Sequence, residues 1–456
     1  MSHWLNRTAL ALVMAASLIA SAREAMASAA VTLDVGADTP VAETGRAQRV
    51  IVRALIKPDG AADRKRVPLA VALVIDVSGS MQSDGKMENA KRGAQKALDM
   101  LTANDIASVI AYSDEAHVVL QPRRVSDKSE FKRAISRLEA GGSTALYDGV
   151  REGAKVITSF VGEGYVPRLI LLSDGMANVG PSSTRELASL GRTLALQEMT
   201  ITTIGLGLDY NEDLMTALAS ESGGNSYFAK SSKALPEIFE RDMEDATSIS
   251  ARHVRVTFSC ARDIKPIRSV GRDGELHGDA IGTSVNNLYG DEKYALFEIE
   301  LPSVADESTI CAGVVKIEYT DASTGLPVLF ESALDVRFTK NSNEIAKNRN
   351  IEIAAQTEIA RNAEIREEAV RLSDAGQTER ASTLLKSRTK ILMDSAASLG
   401  SAAPMIKEEA HDLAELADDI EENGEMSGEL RKESMNKAYI QKNQQSDATG
   451  ASDEKK

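Results

Sequence analysis

The sequence predicts an α/β protein centred on a doubly wound, mostly parallel six-stranded sheet. Three observations carry that expectation. The run Leu69-Ala70-Val71-Ala72-Leu73-Val74-Ile75 is apolar without interruption, as a strand buried on both faces of a parallel sheet must be. A second such run, Leu169-Ile170-Leu171-Leu172, follows further along. From Pro68 to about Ser250 strand-like and helix-like stretches alternate, the order that lays helices on both faces of a parallel sheet.

Taken in order, Val31–Val35 and Gln48–Leu55 alternate apolar with polar residues, the period of half-buried strands. Pro58-Asp59-Gly60 signals a turn, and the charged stretch Asp63–Arg66 reads as a linker. In the central region strands are expected at 69–75, 106–112, 167–173, 201–206 and 225–229, with a short antiparallel edge strand at 116–120. Helices are expected at 87–101, 129–138, 146–160, 183–198, 212–220 and 235–248. The first of these places Ala90, Ala94, Ala97, Leu98 and Leu101 on one inner face. Asp209 and Asp213 read as caps for the helix at Glu212. Gly205-Leu206-Gly207 has neither the spacing nor the Lys of a phosphate loop.

From His253 to about Thr339 strand-like alternation returns, at 254–258, 296–301, 314–319 and 328–338, with Gly271-Arg272-Asp273-Gly274 as a turn. Strands on both sides of the central region imply one β-sandwich, built from residues 28–66 and 251–340, into which residues 67–250 are inserted. Domain termini that lie close together tolerate such an insertion. Residues 341–443 are rich in Ala, Glu, Arg and Leu at near-helical spacing, broken at Ala375-Gly376 and reopened at Pro404. They are expected to form a small helical bundle packed on the core. A repeat array needs at least ~3 repeats, and one degenerate helical pair falls short of that. Residues 444–456 are polar and aperiodic and are expected to be disordered.

At 456 residues the chain exceeds what one hydrophobic core holds. Its 43% hydrophobic and 27% charged content is that of a globular protein. A formal charge of −15 argues against nucleic acid, whose phosphates require a basic face. His3 and Arg7 precede the apolar segment Ala9–Ala20 and the triplet Ala25-Met26-Ala27, the pattern of a signal peptide cleaved after residue 27. The apolar segment is shorter than the ~20 residues that span a bilayer, and no transmembrane segment is expected in the mature chain. Export to the periplasm or beyond follows as an expectation. In an oxidising compartment Cys260 and Cys311 suggest one disulfide, with two separate thiols as the alternative.

The chemistry concentrates where the first apolar strand ends, in Asp76, Ser78 and Ser80. Ligands of open α/β sheets bind outside the carboxyl ends of the strands, at a topological switch point, and clustered hard oxygens suit a cation such as magnesium. Alone, this loop also reads as a helix cap, the less favoured of the two readings. The spacing Asp-x-Ser-x-Ser resembles the metal-ion-dependent adhesion site of the von Willebrand factor type A family. Thr144, in Gly141-Gly142-Ser143-Thr144, and Asp174, in Leu171-Leu172-Ser173-Asp174-Gly175, fall where that family supplies a third hydroxyl and a second carboxylate. The resemblance implies that Asp76, Ser78, Ser80, Thr144 and Asp174 hold Mg2+, with Mn2+ or Ca2+ as substitutes. It also implies that the hydroxyls touch the metal, that the carboxylates act largely through water, and that a partner protein presents an Asp or Glu to the open position. The nested layout is similar to that of bacterial secreted proteins of the calcium-activated chloride channel-like group, although nothing in the sequence supports a pore.

Enzymatic readings fare less well. His117, His253, His277 and His411 sit in no recognisable motif, and the chain has neither Gly-x-Ser-x-Gly nor His-Glu-x-x-His. A metal-dependent hydrolase or a phosphoryl-transfer enzyme using Asp76 is the alternative. Aspartyl-phosphate chemistry, however, typically uses a second acid two positions on, where this chain has Ser78. The sequence therefore points to a non-enzymatic, cation-dependent protein-binding module.

Overall fold

The structure is a computed structural model describing residues 31–59 and 66–445. The expected leader (residues 1–27), linker residues 63–65 and the tail from 446 lie outside the described residues. The chain opens with β1 (Val31–Ala37), β2 (Val41–Glu43) and β3 (Gln48–Pro58), then enters the central sheet at β4 (Leu69–Asp76). That sheet continues with β5 (Ile106–Tyr112), β6 (Ala116–Arg124), β7 (Val166–Ser173), β8 (Thr200–Leu206) and β9 (Ser226–Ala229), in the spatial order β6-β5-β4-β7-β8-β9. Every pairing is parallel except that of β6 with β5.

All eight residues of β4 are buried, which is why no alternation is visible in the sequence. Leu69, Val71, Leu73 and Ile75 pack with the helices Lys86–Met100, Lys128–Ser136 and Leu235–Thr247. Ala72 and Val74 point the other way, into the helices Leu146–Ile157, Thr184–Ala195 and Glu212–Ser222. The chain runs outward on one side of β4 through β5 and on the other through β7, so the crevice between the carboxyl ends of β4 and β7 is the switch point. Strand β6 is longer than expected, ending in Arg123-Arg124, and its charged, half-exposed residues suit an edge.

The remaining strands are β10 (Ala251–Cys260), β11 (Lys265–Val270), β12 (Gly274–His277), β13 (Ala280–Leu288), β14 (Lys293–Leu301), β15 (Ser308–Asp321) and β16 (Pro327–Thr339). They join β1–β3 in two facing sheets, ordered β1-β3-β14-β11 and β12-β13-β10-β15-β16-β2. One core, including Val52, Ile56, Phe258, Phe297, Ile317 and Phe338, lies between them. The central sheet is thus inserted between β3 and β10. Strands β2, β11, β12 and β13 were not expected. The segment expected as a turn is a docking point: Gly271 has φ +78°, and a Cβ there would lie 2.7 Å from Ala360 Cβ.

The disulfide does not form. Cys260 is a buried free thiol and Cys311 an exposed one, before a bulge at Cys311/Gly313. Cys260 faces the sandwich core and its register partner is Gly313, so the two thiols face opposite sides of the sheet.

Helices Ser342–Lys347, Ile351–Asp374, Thr378–Ala396, Ala403–Asn423 and Gly428–Asn443 follow among the described residues. Leu372, Leu385, Leu392, Leu413 and Ile420 share one core. Ile353 and Ala360 pack on Ile51, Val270 and Leu296, so the helix Ile351–Asp374 covers the outer face of one sandwich sheet. The expectation of disorder from residue 444 is corrected at its start. Gln445 is buried, and its side-chain amide meets both the N–H and the C=O of Ser226, the first residue of the edge strand β9.

Candidate metal centre

Asp76 closes β4, and a short 3-10 turn, Gly79–Gln82, follows it. The turn folds back because the Asp76 carboxylate accepts the Ser78 N–H at 2.8 Å. The neighbouring loop is tied to it by Gly141 N–H to the Val77 carbonyl (2.7 Å) and Gly79 N–H to the Gly142 carbonyl (3.0 Å). Gly142 has φ +88°, and a Cβ there would lie 2.8 Å from Asp114 Oδ2, so the close loop approach requires glycine. Thr144 is held by its own N–H, which donates to Asn178 Oδ1 at 2.8 Å.

The structure brings the five singled-out side chains to one place. Ser78 Oγ and Ser80 Oγ lie 3.0 Å apart, and Ser80 Oγ donates to Asp174 Oδ1 at 2.6 Å. Ser80 and Thr144 both point their hydroxyls at Gly175: a Cβ there would lie 3.4 Å from one and 3.6 Å from the other. Asp76 and Asp174 are both fully buried.

Three residues that the sequence reading did not single out complete the surroundings. The Tyr112 hydroxyl donates to the Leu172 carbonyl at 2.8 Å and lies 3.3 Å from Asp76 Oδ2. Ser173 Oγ donates to the same Asp76 oxygen at 2.9 Å. Lys86, in the first turn of its helix, places its ammonium 2.8 Å from Asp174 Oδ2.

Burial pushes the Asp76 carboxyl up to about 6, the Asp174 charge adds to the push, and hydrogen bonds from Ser78 and Ser173 oppose it. Among the described residues no cation touches Asp76. Two buried carboxylates against one lysine leave negative charge uncompensated, and buried charge is costly unless paired. The donor set is entirely hard oxygen, as magnesium prefers. Observed charge and donor chemistry therefore fit a divalent cation. Among the described residues no group of three or more His, Cys, Asp or Glu could hold a metal, so any centre here relies on the hydroxyls. The expected caps at Asp209 and Asp213 are corrected: Asn211 caps that helix, accepting from Leu214 N–H, while Asp213 pairs with Arg431.

Comparisons with known proteins converge on this region. The family model for the von Willebrand factor type A domain matches residues 70–241. An uncharacterized protein of Synechocystis sp. is 27% identical over 367 residues, covering 78% of this chain and 81% of the relative. Human inter-alpha-trypsin inhibitor heavy chain H4 is 28% identical over 166 residues, 35% of this chain and 18% of that protein. Among solved structures, a von Willebrand factor type A protein from Catenulispora acidiphila superposes with a TM-score of 0.66 at 16% identity, covering 91% of this chain and 96% of that one. The ArnB paralog VWA2 from Sulfolobus acidocaldarius gives a TM-score of 0.56 at 16% identity, over 91% and 98%. Both show that the fold is shared along nearly the whole chain. Residues 70–241 are a von Willebrand factor type A domain, with the loops of Asp76, Thr144 and Asp174 at the carboxyl end of its sheet.

Proposed function

We propose that this protein is an exported, divalent-cation-dependent protein-binding module that serves adhesion or assembly. One observation carries the reading: two fully buried carboxylates and three hydroxyls converge at the switch point of the sheet, with a single lysine against them. Ser78, Ser80 and Thr144 would hold Mg2+, or Mn2+ or Ca2+ in its place, while Asp76 and Asp174 balance its charge. A bound magnesium supplies an electrophilic centre that accepts an Asp or Glu side chain from a partner protein. Tyr112 and Ser173 orient Asp76, and Asn178 orients the Thr144 loop. Export is supported by the apolar segment Ala9–Ala20 and the triplet Ala25-Met26-Ala27.

A hydrolytic or phosphoryl-transfer role for Asp76 is less well supported. Both of its oxygens accept hydrogen bonds and it has no exposed surface, which leaves it poorly placed to attack a substrate. The test pairs two measurements on wild type and Asp76→Ala. Calorimetry should show saturable magnesium binding that the substitution removes, with the circular dichroism spectrum unchanged. Immobilised protein exposed to envelope extract should retain a partner with magnesium and release it with chelator. Failure of the wild type to bind any of the three cations would sink the proposal.

A further inference from the structure

At the other end of the helix Glu212–Ser222, away from the metal loops, lies a cavity of about 650 Å³, within the range of small-molecule sites. Its walls come from the end of that helix, from β10 and β13, and from the end of the helix Gly428–Asn443. We propose that this cavity binds a small hydrophilic molecule carrying a carboxylate or phosphate group, held on the Arg272 guanidinium.

Among the described residues Arg272 is the cation on the wall with no carboxylate paired to it. Its guanidinium donates to neutral oxygens alone, Asn443 Oδ1 at 3.3 Å and Gln444 Oε1 at 2.9 Å, and its buried Nε has no partner. Among the described residues it meets no carboxylate, and burial pushes its pKa down to about 10. Behind it sits a second buried cation, Lys293, whose ammonium lies over the Tyr289 ring at 5.3 Å. Burial, and then the charge of Arg272, pushes the Lys293 ammonium down to about 7. The charges of Asp245 and Asp291 oppose that push on Lys293, so the unmatched cation at the cavity is Arg272 itself.

Most other charges on the wall are matched. Arg255 pairs with Glu275 at 3.3 Å, Lys442 with Glu367 at 3.0 Å, and Glu221 with Arg192 at 2.7 Å. Asp273 is exposed to solvent. A carboxylate or phosphate matches the planar fork of a guanidinium, which two amide oxygens satisfy poorly. The rest of the wall is largely hydroxyl and amide, and Ala195 is its one aliphatic side chain; this selects a hydrophilic ligand.

The backbone is shaped to the same wall. The pairing of β10 with β13 is interrupted at Val254, on both sides. His253 (φ 54°) and Asn286 (φ 62°) flank the interruption in the left-handed region, and both line the cavity. Bulges re-aim side chains beside sites, and such strained positions concentrate there.

The test is calorimetry and thermal melting of the full chain with inorganic phosphate, citrate and 6-phosphogluconate, at constant ionic strength set with chloride. At least one probe should bind saturably with one site per chain. Arg272→Gln should weaken it by about tenfold or more, as loss of a charge-assisted contact requires, while Arg272→Lys should retain part of the affinity. Ser284→Trp, on an exposed strand position at the cavity, should block binding without touching Arg272. Chelator should change none of these values, which separates this site from the metal loops. The proposal is overturned if no probe saturates, or if Arg272→Gln or Ser284→Trp binds like wild type.

Discussion

Replacing Lys86 with Met removes the ammonium from Asp174 and keeps the aliphatic stem. Two effects of opposite sign follow. Without a divalent cation, fully buried Asp174 loses its cationic partner, and breaking a buried pair from one side costs about 3–5 kcal/mol. The Lys86 side chain keeps 11% exposure and Asp174 still accepts from Ser80 at 2.6 Å, which brings the cost to the bottom of that range or just below it, about 2–3 kcal/mol. At roughly 2–4 °C per kcal/mol for a domain of this size, the melting temperature in chelator should drop by about 5–10 °C. With magnesium present the sign reverses, because the competitor for the Asp174 oxygens is gone. A charge-assisted hydrogen bond is worth about 1.5–3 kcal/mol, so the magnesium Kd should tighten by at least about tenfold. The assay is calorimetry with magnesium alongside melts in chelator and in excess magnesium. If Lys86→Met melts like wild type in chelator and binds magnesium with an unchanged Kd, the picture of a cation held by two buried carboxylates is wrong.

Two further predictions concern buried groups elsewhere. Burial, and then the Asp242 charge, pushes the Asp245 carboxyl from an ordinary 3.8 to about 6. Its folded value lies above its unfolded one, so its stabilising contribution is fully present below about pH 4 and lost as pH rises through about 6. The stability difference between wild type and Asp245→Asn should therefore change by up to about 3 kcal/mol between pH 4 and 7 in urea titrations; a flat difference would refute the assignment. For the thiols, burial pushes Cys260 up to about 12 while Cys311 is exposed. A thiol reagent should label one cysteine in the native protein and two in denaturant, whereas no labelling before reduction would mean that a disulfide forms after all.

The parts of this molecule legible in its sequence are those whose cause is local. Strands β4 and β7 announce themselves because a strand buried on both faces has no room for alternation, and their polar ends are confined to a few adjacent residues. Lys86 carries no such signal. A lysine in the first turn of a helix looks like an ordinary solvated charge, and its pairing with Asp174 joins residues far apart in sequence. Tyr112 reads as the last apolar residue of β5, although its hydroxyl reaches Leu172 and Asp76. Strand β12 is exposed at all four residues, so no hydrophobic period marks it, and three of the first four residues of β15 are likewise exposed.

The cavity beside Arg272 shows the same division from the other side. Gly271-Arg272-Asp273-Gly274 has the composition of a turn, and composition reports only that the chain bends there. What turns the bend into a wall is the helix Ile351–Asp374 against Gly271, together with the end of the helix Gly428–Asn443 against Arg272. Both contacts come from the far end of the chain. The helix Glu212–Ser222 starts beside the carboxyl end of the central sheet and finishes at this cavity. At its start Glu212 and Asp213 pair with Arg431, and Glu212 also with Lys432, on the C-terminal helix that reaches the cavity at Asn443. One helix pair thus runs from the carboxyl end of the central sheet to the cavity, and magnesium binding measured with and without a saturating anion shows whether the two equilibria are independent.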